Sequence, residues 1–233
     1  ESGELVKKET APKRYTFLLG KNEPCTTAAS RLMELADKKS SGSVFLADVT
    51  DTFSVERLNK EFFKGYKEQY AKFLKLLEDK KQHRDYVKKL LGRLVFLQFL
   101  QKKGWMGVPA SNENWEGGDK NYLVNLIERY KGNDRILSDV LEPLFFDTLN
   151  KERVGDIADY RLGNNIKIPY LNGGLFDKDK IDALDIDFPY SYFEDLMKFF
   201  NEYNFTIDEN DPDDAEVGVD PEMLGHIFEN LLE

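Results

Sequence analysis

Between residues 84 and 103 the sequence places Val87, Leu90, Leu91, Leu94, Val95, Phe96, Leu97, Phe99 and Leu100 on helical spacing, and the second half of this stretch is apolar nearly all the way round. A helix with apolar residues on every side cannot lie on a surface and has to be packed from several directions. The segment is therefore expected to be the central helix of a multi-helix body. Gly104 stands where a left-handed C-terminal cap would fall, and residues 105–109, with Gly107 and Pro109, cannot easily continue the helix.

A second long helix is expected from Ser54, because Val55, Leu58, Phe62, Tyr66, Tyr70, Phe73 and Leu77 recur three or four apart with lysines between them. Ser54 can accept from the amides of the first turn, and Glu56 stands near the positive end of the dipole. Helical spacing returns in 121–130, 135–149, 192–203 and 221–232, with Pro143 expected to kink or divide the second of these into shorter helices. Residues 164–169 read as extended, and Asn172, Gly173 and Gly174 as a turn in which glycine permits positive φ. Before Ser54, residues 14–19 suit a strand, 26–36 a short helix behind Pro24, and 38–43 a loop. The expected fold class is mainly α: an irregular multi-helix domain over 53–233, and an N-terminal extension over 1–52 docked on it. Minor β structure is expected in that extension and near 164–176.

At 41% hydrophobic residues over 233 positions the chain can bury a real core. A single cysteine, Cys25, excludes an internal disulfide and reads as a passive thiol, and residues 1–8 have no apolar run of the secretory kind. These features suit a reducing, cytoplasmic compartment. The longest apolar stretch, around 94–100, is far shorter than the roughly 20 residues of a membrane-spanning helix, so no membrane partner is expected.

Chemistry-bearing motifs are scarce. His83 and His226 lack a second His or Cys at ligand spacing, which argues against zinc. Glu78, Asp79 and Lys80 match a fragment found in metal-dependent nucleases, but they fall at the end of an amphipathic helix rather than on a strand beside a second carboxylate. The acidic run 208–214 lacks the central glycine and terminal glutamate of a calcium loop, and Pro212 breaks its spacing. No glycine-rich fingerprint follows a strand and opens a helix, so neither a Rossmann-type nor a P-loop site is expected. Asn204, Phe205 and Thr206 form a glycosylation triplet that a cytoplasmic chain would leave unmodified.

Charge is more informative, because it is unevenly spread. The net charge is −10, yet residues 57–103 carry 14 Lys and Arg against 5 Asp and Glu, whereas 177–233 carry 3 against 18. Lysines on amphipathic helices commonly form only the solvated face. The alternative is that Lys88, Lys89, Arg93, Lys102 and Lys103 contribute to a surface that tracks DNA phosphates without reading bases. Helical spacing cannot put all five on one face, so at most a subset would line a groove.

Five ordered blocks carry a resemblance. They are FSVERLNKEFF at 53–63, LGRLVFLQFLQKKGW at 91–105, LFFDTLN at 144–150, IPYLNGGLF at 168–176 and VDPEMLGHIFENLL at 219–232. Together they resemble the helical region upstream of the methyltransferase domain in type IIG-like restriction-modification enzymes and related adenine-specific DNA methyltransferases. In that family the last block leads to a Tyr-Thr-Pro motif, an S-adenosylmethionine loop and an Asn-Pro-Pro-Tyr catalytic motif, none of which occurs in this sequence. The resemblance implies a segment without catalytic, cofactor-binding or metal-binding residues of its own. Its parent would be an S-adenosylmethionine-dependent adenine DNA methyltransferase, with or without endonuclease activity. Its partners would be the adjacent methyltransferase domain of the same chain and, through the parent, DNA. A competing expectation is a protein-interaction scaffold that never touches DNA.

Overall fold

The architecture is that of a computed structural model, which describes residues 26–205 together with Val219 and Gly225. It is mainly α-helical. Among the described residues six α-helices follow one another: α1 (Thr27–Ser41), α2 (Leu46–Thr52), α3 (Val55–Leu74), α4 (Lys81–Lys102), α5 (Tyr122–Arg129) and α6 (Tyr190–Phe200). Between α5 and α6 lie two wide-turned π-helical stretches, Leu137–Leu141 and Pro143–Leu149, and a two-stranded antiparallel pair joins β1 (Val108–Pro109) to β2 (Ile166–Lys167). The expected strand at 14–19, the expected helix at 221–232, Cys25, His226 and the acidic run 208–214 fall outside the described residues.

Helix α3 begins where its cap residue directs, since Ser54 Oγ accepts from the Arg57 amide at 3.2 Å. Its Leu58, Phe62, Tyr66 and Phe73 are buried, the first three facing inward on a shared stripe. Helix α4 is the central element, burying thirteen residues from Tyr86 to Gln101. It ends in a Schellman turn: the Trp105 amide reaches back to Leu100 O at 3.2 Å and the Gly104 amide to Gln101 O at 2.8 Å. Gly104 adopts φ +74°, which suits glycine, and a Cβ on Gly118 would run into the Gly104 carbonyl. The loop between α4 and α5 is therefore tied shut at its neck. Helix α6 packs against the buried stripe of α3, with Phe199 stacked on Phe62 at 5.3 Å and Phe73 edge-on to Phe193 at 5.6 Å.

Several local expectations change. Helix α1 runs on to Ser41, through residues expected to form a loop. The continuation has local support: Ser40 and Ser41 hydroxyls donate to the carbonyls of Asp37 and Lys38, Lys38 and Lys39 complement the C-terminal end of the dipole, and Lys38 pairs with Asp48 at 2.6 Å. Pro143, expected to kink or divide its run, opens the second of two π-helical stretches, which abut without a break at Glu142, whose φ −62° and ψ −46° are helical. Bonding five residues back, as the Asn150 amide does to Phe145 O at 3.1 Å, widens the turn and lets the run pass a residue with no amide hydrogen. Neither Gly173 nor Gly174 has positive φ; Gly173 is extended at φ −155° and leads into a single 3₁₀ turn, Gly174–Phe176.

The expected boundary at 52/53 falls between α2 and α3, and ion pairs cross it. Arg57 meets both Glu34 (2.9 Å) and Asp51 (2.8 Å), and Arg31 meets Glu61 at 2.8 Å. The start of α1 is also bonded to the far end of the chain's core, with Thr27 Oγ1 donating to Glu202 O at 2.6 Å. Glu78 pairs with Lys80 and Asp79 with Arg84 in the α3–α4 turn, so the nuclease-like triplet is spent on holding that turn.

Candidate nucleic-acid interface

The five basic residues singled out from the sequence all lie on α4 or directly after it, and the fold divides them. Arg93 is turned into the interior, with 2% of its surface exposed. Its guanidinium meets Asp182 twice, Nη1 to Oδ1 at 2.6 Å and Nη2 to Oδ2 at 3.0 Å. Nε donates to Leu175 O at 2.8 Å and Nη2 also to Asp177 O at 3.2 Å. The plane of the group lies against Phe145 and Phe146, 5.5 and 5.0 Å from their ring centroids. A buried arginine this fully bonded offers nothing to a phosphate, which removes Arg93 from a DNA-tracking surface.

Lys89, one turn earlier, joins the same arrangement. Its Nζ lies 2.7 Å from Asp182 Oδ2 and 2.9 Å from Asp179 Oδ2. Asp182 Oδ2 accepts the Asp179 amide, and Asp179 Oδ1 the amides of Ile181 and Asp182, so the loop after Phe176 is knitted to itself as well as to α4. Burial alone would raise the Asp182 carboxyl, but hydrogen bonds from Arg93 and Lys89 outweigh it and hold the group below the usual range. The bond from Lys89 brings the Asp179 carboxyl to about 2.

The remaining three stay toward solvent. Lys88 is half-buried on the flank of α4. Lys102, in the last turn, is half-buried on the rim of a cleft, and exposed Lys103 places its ammonium 5.4 Å from the Trp105 ring centroid. Sequence reasoning passed over Asp182, the counter-ion 89 positions downstream. A local signal did exist: Arg93 sits among Leu90, Leu94 and Leu97, where a charge has to find a buried partner. Lys120, on the same cleft as Lys102, carried no such signal in its polar loop.

Among the described residues no three His, Cys, Asp or Glu side chains are arranged to hold a metal ion, and no helix is long and apolar enough to cross a membrane. His83 turns its Nδ1 to the Glu78 carbonyl at 2.8 Å, and Asn204 is buried with 4% of its surface exposed.

Three of the five blocks that carry the family resemblance meet at the same place. Arg93 comes from the second, Phe145 and Phe146 from the third, and Leu175 and Phe176 from the fourth, with Phe176 packed 6.0 Å from Phe96 and 5.8 Å from Phe145. No family model matches the chain, and no solved structure matches it. A curated protein of Methanocaldococcus jannaschii, named "Putative type II restriction enzyme and methyltransferase RM.MjaORFECS2P", is 30% identical over 148 residues. The match covers 61% of this chain, which spans about 12% of that protein's length. By this likeness the chain is related to restriction-modification proteins.

Proposed function

We propose that this chain is a non-catalytic helical segment of a restriction-modification enzyme that methylates adenine in DNA. In this reading it braces the adjacent catalytic domain and touches the DNA backbone. The observation that carries the reading is where the resembling blocks fall. Three of them contribute Arg93, Phe145, Phe146 and Leu175 to one buried knot that fixes the 175–182 loop and the π-helical run to the central helix. Residues gathered this way build stiffness rather than chemistry. A methyltransferase that swings its target base out of the duplex needs a stiff body around the catalytic domain and sequence-independent grips on either side. The S-adenosylmethionine site and the catalytic motif belong to the neighbouring domain in this account. Lys89 and Arg93 are committed internally, so this reading keeps Lys88, Lys102 and Lys103 as its candidate grips.

One observation favours the scaffold reading instead: two of the five candidate cations are consumed inside a chain of net charge −10. A titration of the chain with labelled duplex across a salt series separates the two. Two or three phosphate contacts predict a slope of log affinity against log salt of roughly −2 to −3. Absence of salt-dependent binding at low ionic strength would leave the scaffold. Calorimetry with S-adenosylmethionine should show no micromolar binding to this chain.

A further inference from the structure

Between residues 153 and 161 the chain forms a short loop that one side chain holds from inside. Arg153 donates to four carbonyls, those of Thr148 at 3.0 Å, Asp156 at 2.7 Å, Ile157 at 2.6 Å and Ile168 at 2.6 Å. Gly155 and Asp156 both stand in the left-handed region, at φ +63° and +55°, so at Asp156 a non-glycine residue takes a conformation that L side chains rarely adopt. A single 3₁₀ turn, Val154–Asp156, results. Ile157 then bridges Lys167 of β2 in antiparallel register, with the Ala158 amide on Ile166 O at 2.9 Å and the Ile168 amide on Asp156 O at 3.1 Å. The shape of the loop is therefore set before any partner arrives.

What this braced loop displays is apolar. Val154 is 97% exposed, Tyr160 77% and Ile157 42%, and among the described residues no large apolar side chain is more exposed than Val154. Single exposed apolar residues are ordinary, but three within seven positions, on backbone held in a rare conformation, mark a contact surface. Its chemistry narrows the partner. The charges do not suit phosphate: Arg153 is spent on carbonyls, Arg161 pairs with Asp159 at 2.9 Å, and Lys151 stands in sequence beside Glu152 with Asp156 close behind. An added strand does not suit the loop either. The ladder with β2 turns the Ile157 carbonyl to the outer edge, and there Arg153 covers it. Recognition is left to the side chains, which calls for an apolar depression on the partner.

Size argues for a partner in the same polypeptide. A stable interface between separate molecules buries roughly 1,200–2,000 Å², with about 20–30 residues a side. One short loop cannot supply that, so it would hold neither a second copy of the chain nor a free protein. A tethered domain needs far less area, because a linker keeps it at an effective concentration in roughly the millimolar range. The stretch matched in the Methanocaldococcus jannaschii relative is about 12% of that protein, so such a polypeptide has ample chain to supply the domain. We propose that Val154, Ile157 and Tyr160 are docking contacts that seat this segment in an apolar depression on a neighbouring domain of the same polypeptide. The inference rests on the bracing role proposed above and names a surface that performs it.

The test uses the full-length polypeptide in which that role places this chain, with the photo-crosslinking residue p-benzoylphenylalanine in place of Val154. Irradiation should join position 154 to peptides outside residues 1–233 while the product keeps the mass of one polypeptide. Val154→Asp/Tyr160→Asp should speed proteolytic separation of this segment from its neighbour roughly tenfold, as the loss of buried apolar contacts requires, and should leave the melting temperature of this chain by itself unchanged. Val154→Ser/Tyr160→Ser serves as the second pair if the acidic one disturbs the turn. Cross-links to a second copy, to added duplex or to nothing would overturn the docking face. Hydrogen exchange separates this inference from the reading beneath it: the amides of 152–161 should exchange more slowly in the full-length polypeptide than in this chain alone. Slowing elsewhere in 26–205 but not in this loop would overturn the face and leave the bracing role standing, and slowing nowhere would end both.

Discussion

Arg93 and Asp182 stand 89 positions apart and form a two-point pair, 2.6 and 3.0 Å, with each side chain only 3% exposed. This pair is what makes the 175–182 loop part of the core, because the same arginine also holds the carbonyls of Leu175 and Asp177.

Removing one partner leaves the other charge buried and uncompensated, so Asp182→Ala should destabilise the chain by about 3–5 kcal/mol. Replacing both, as in Arg93→Met/Asp182→Leu, should cost clearly less than the two single changes added together. Urea denaturation of the three variants measures this. Additive losses would mean that the two side chains do not depend on each other.

Acid should weaken the same knot. Asp182 and Asp179 titrate lower in the folded chain than in the unfolded one, Asp179 at about 2. Their stabilisation is therefore present above the unfolded carboxylate value of about 4 and is lost as pH falls through the folded values. The melting temperature should be level from neutrality toward pH 5 and decline from about pH 4, with a shallower decline in Asp182→Asn. An identical acid limb in that variant would show that other carboxylates govern it.

Glu142 should show the opposite sign. Burial, with Asp187 and Asp182 adding to it against Lys178, raises its carboxyl. A raised acid favours the folded state only when protonated, so its charged form weakens the fold at neutral pH. Glu142→Gln should raise the melting temperature at pH 7, and the gain should vanish below pH 4. A variant that melts lower at pH 7 would contradict this.

Leu94 is fully buried in the centre of α4. Leu94→Asp would bury an unpaired carboxylate among Leu91, Val95 and Leu97 and should abolish the cooperative unfolding transition. A melt near the wild-type temperature would move Leu94 out of the core.

What the sequence revealed were features written locally. Ser54 starts α3, Gly104 ends α4, and the all-round apolar character of residues 90–100 places α4 at the centre, because caps and periodicity act within a turn or two. What it concealed depends on residues far along the chain. The apolar neighbours of Arg93 mark it as a charge in need of a buried partner, but that the partner is Asp182, 89 positions on, is not written anywhere near α4. The extension of α1 past residue 38 depends on Asp48 in the next helix.

The account rests most heavily on a backbone grip that carries no base information. Its most direct measurement is the affinity of wild type and of Lys88→Gln/Lys102→Gln/Lys103→Gln for two duplexes of unrelated sequence, across 50–200 mM salt (about the range over which phosphate contacts dominate). The prediction is a similar loss of affinity for both duplexes and a salt slope shallower by roughly two to three. Unchanged affinity and an unchanged slope would contradict it and leave the segment as a scaffold that never meets DNA.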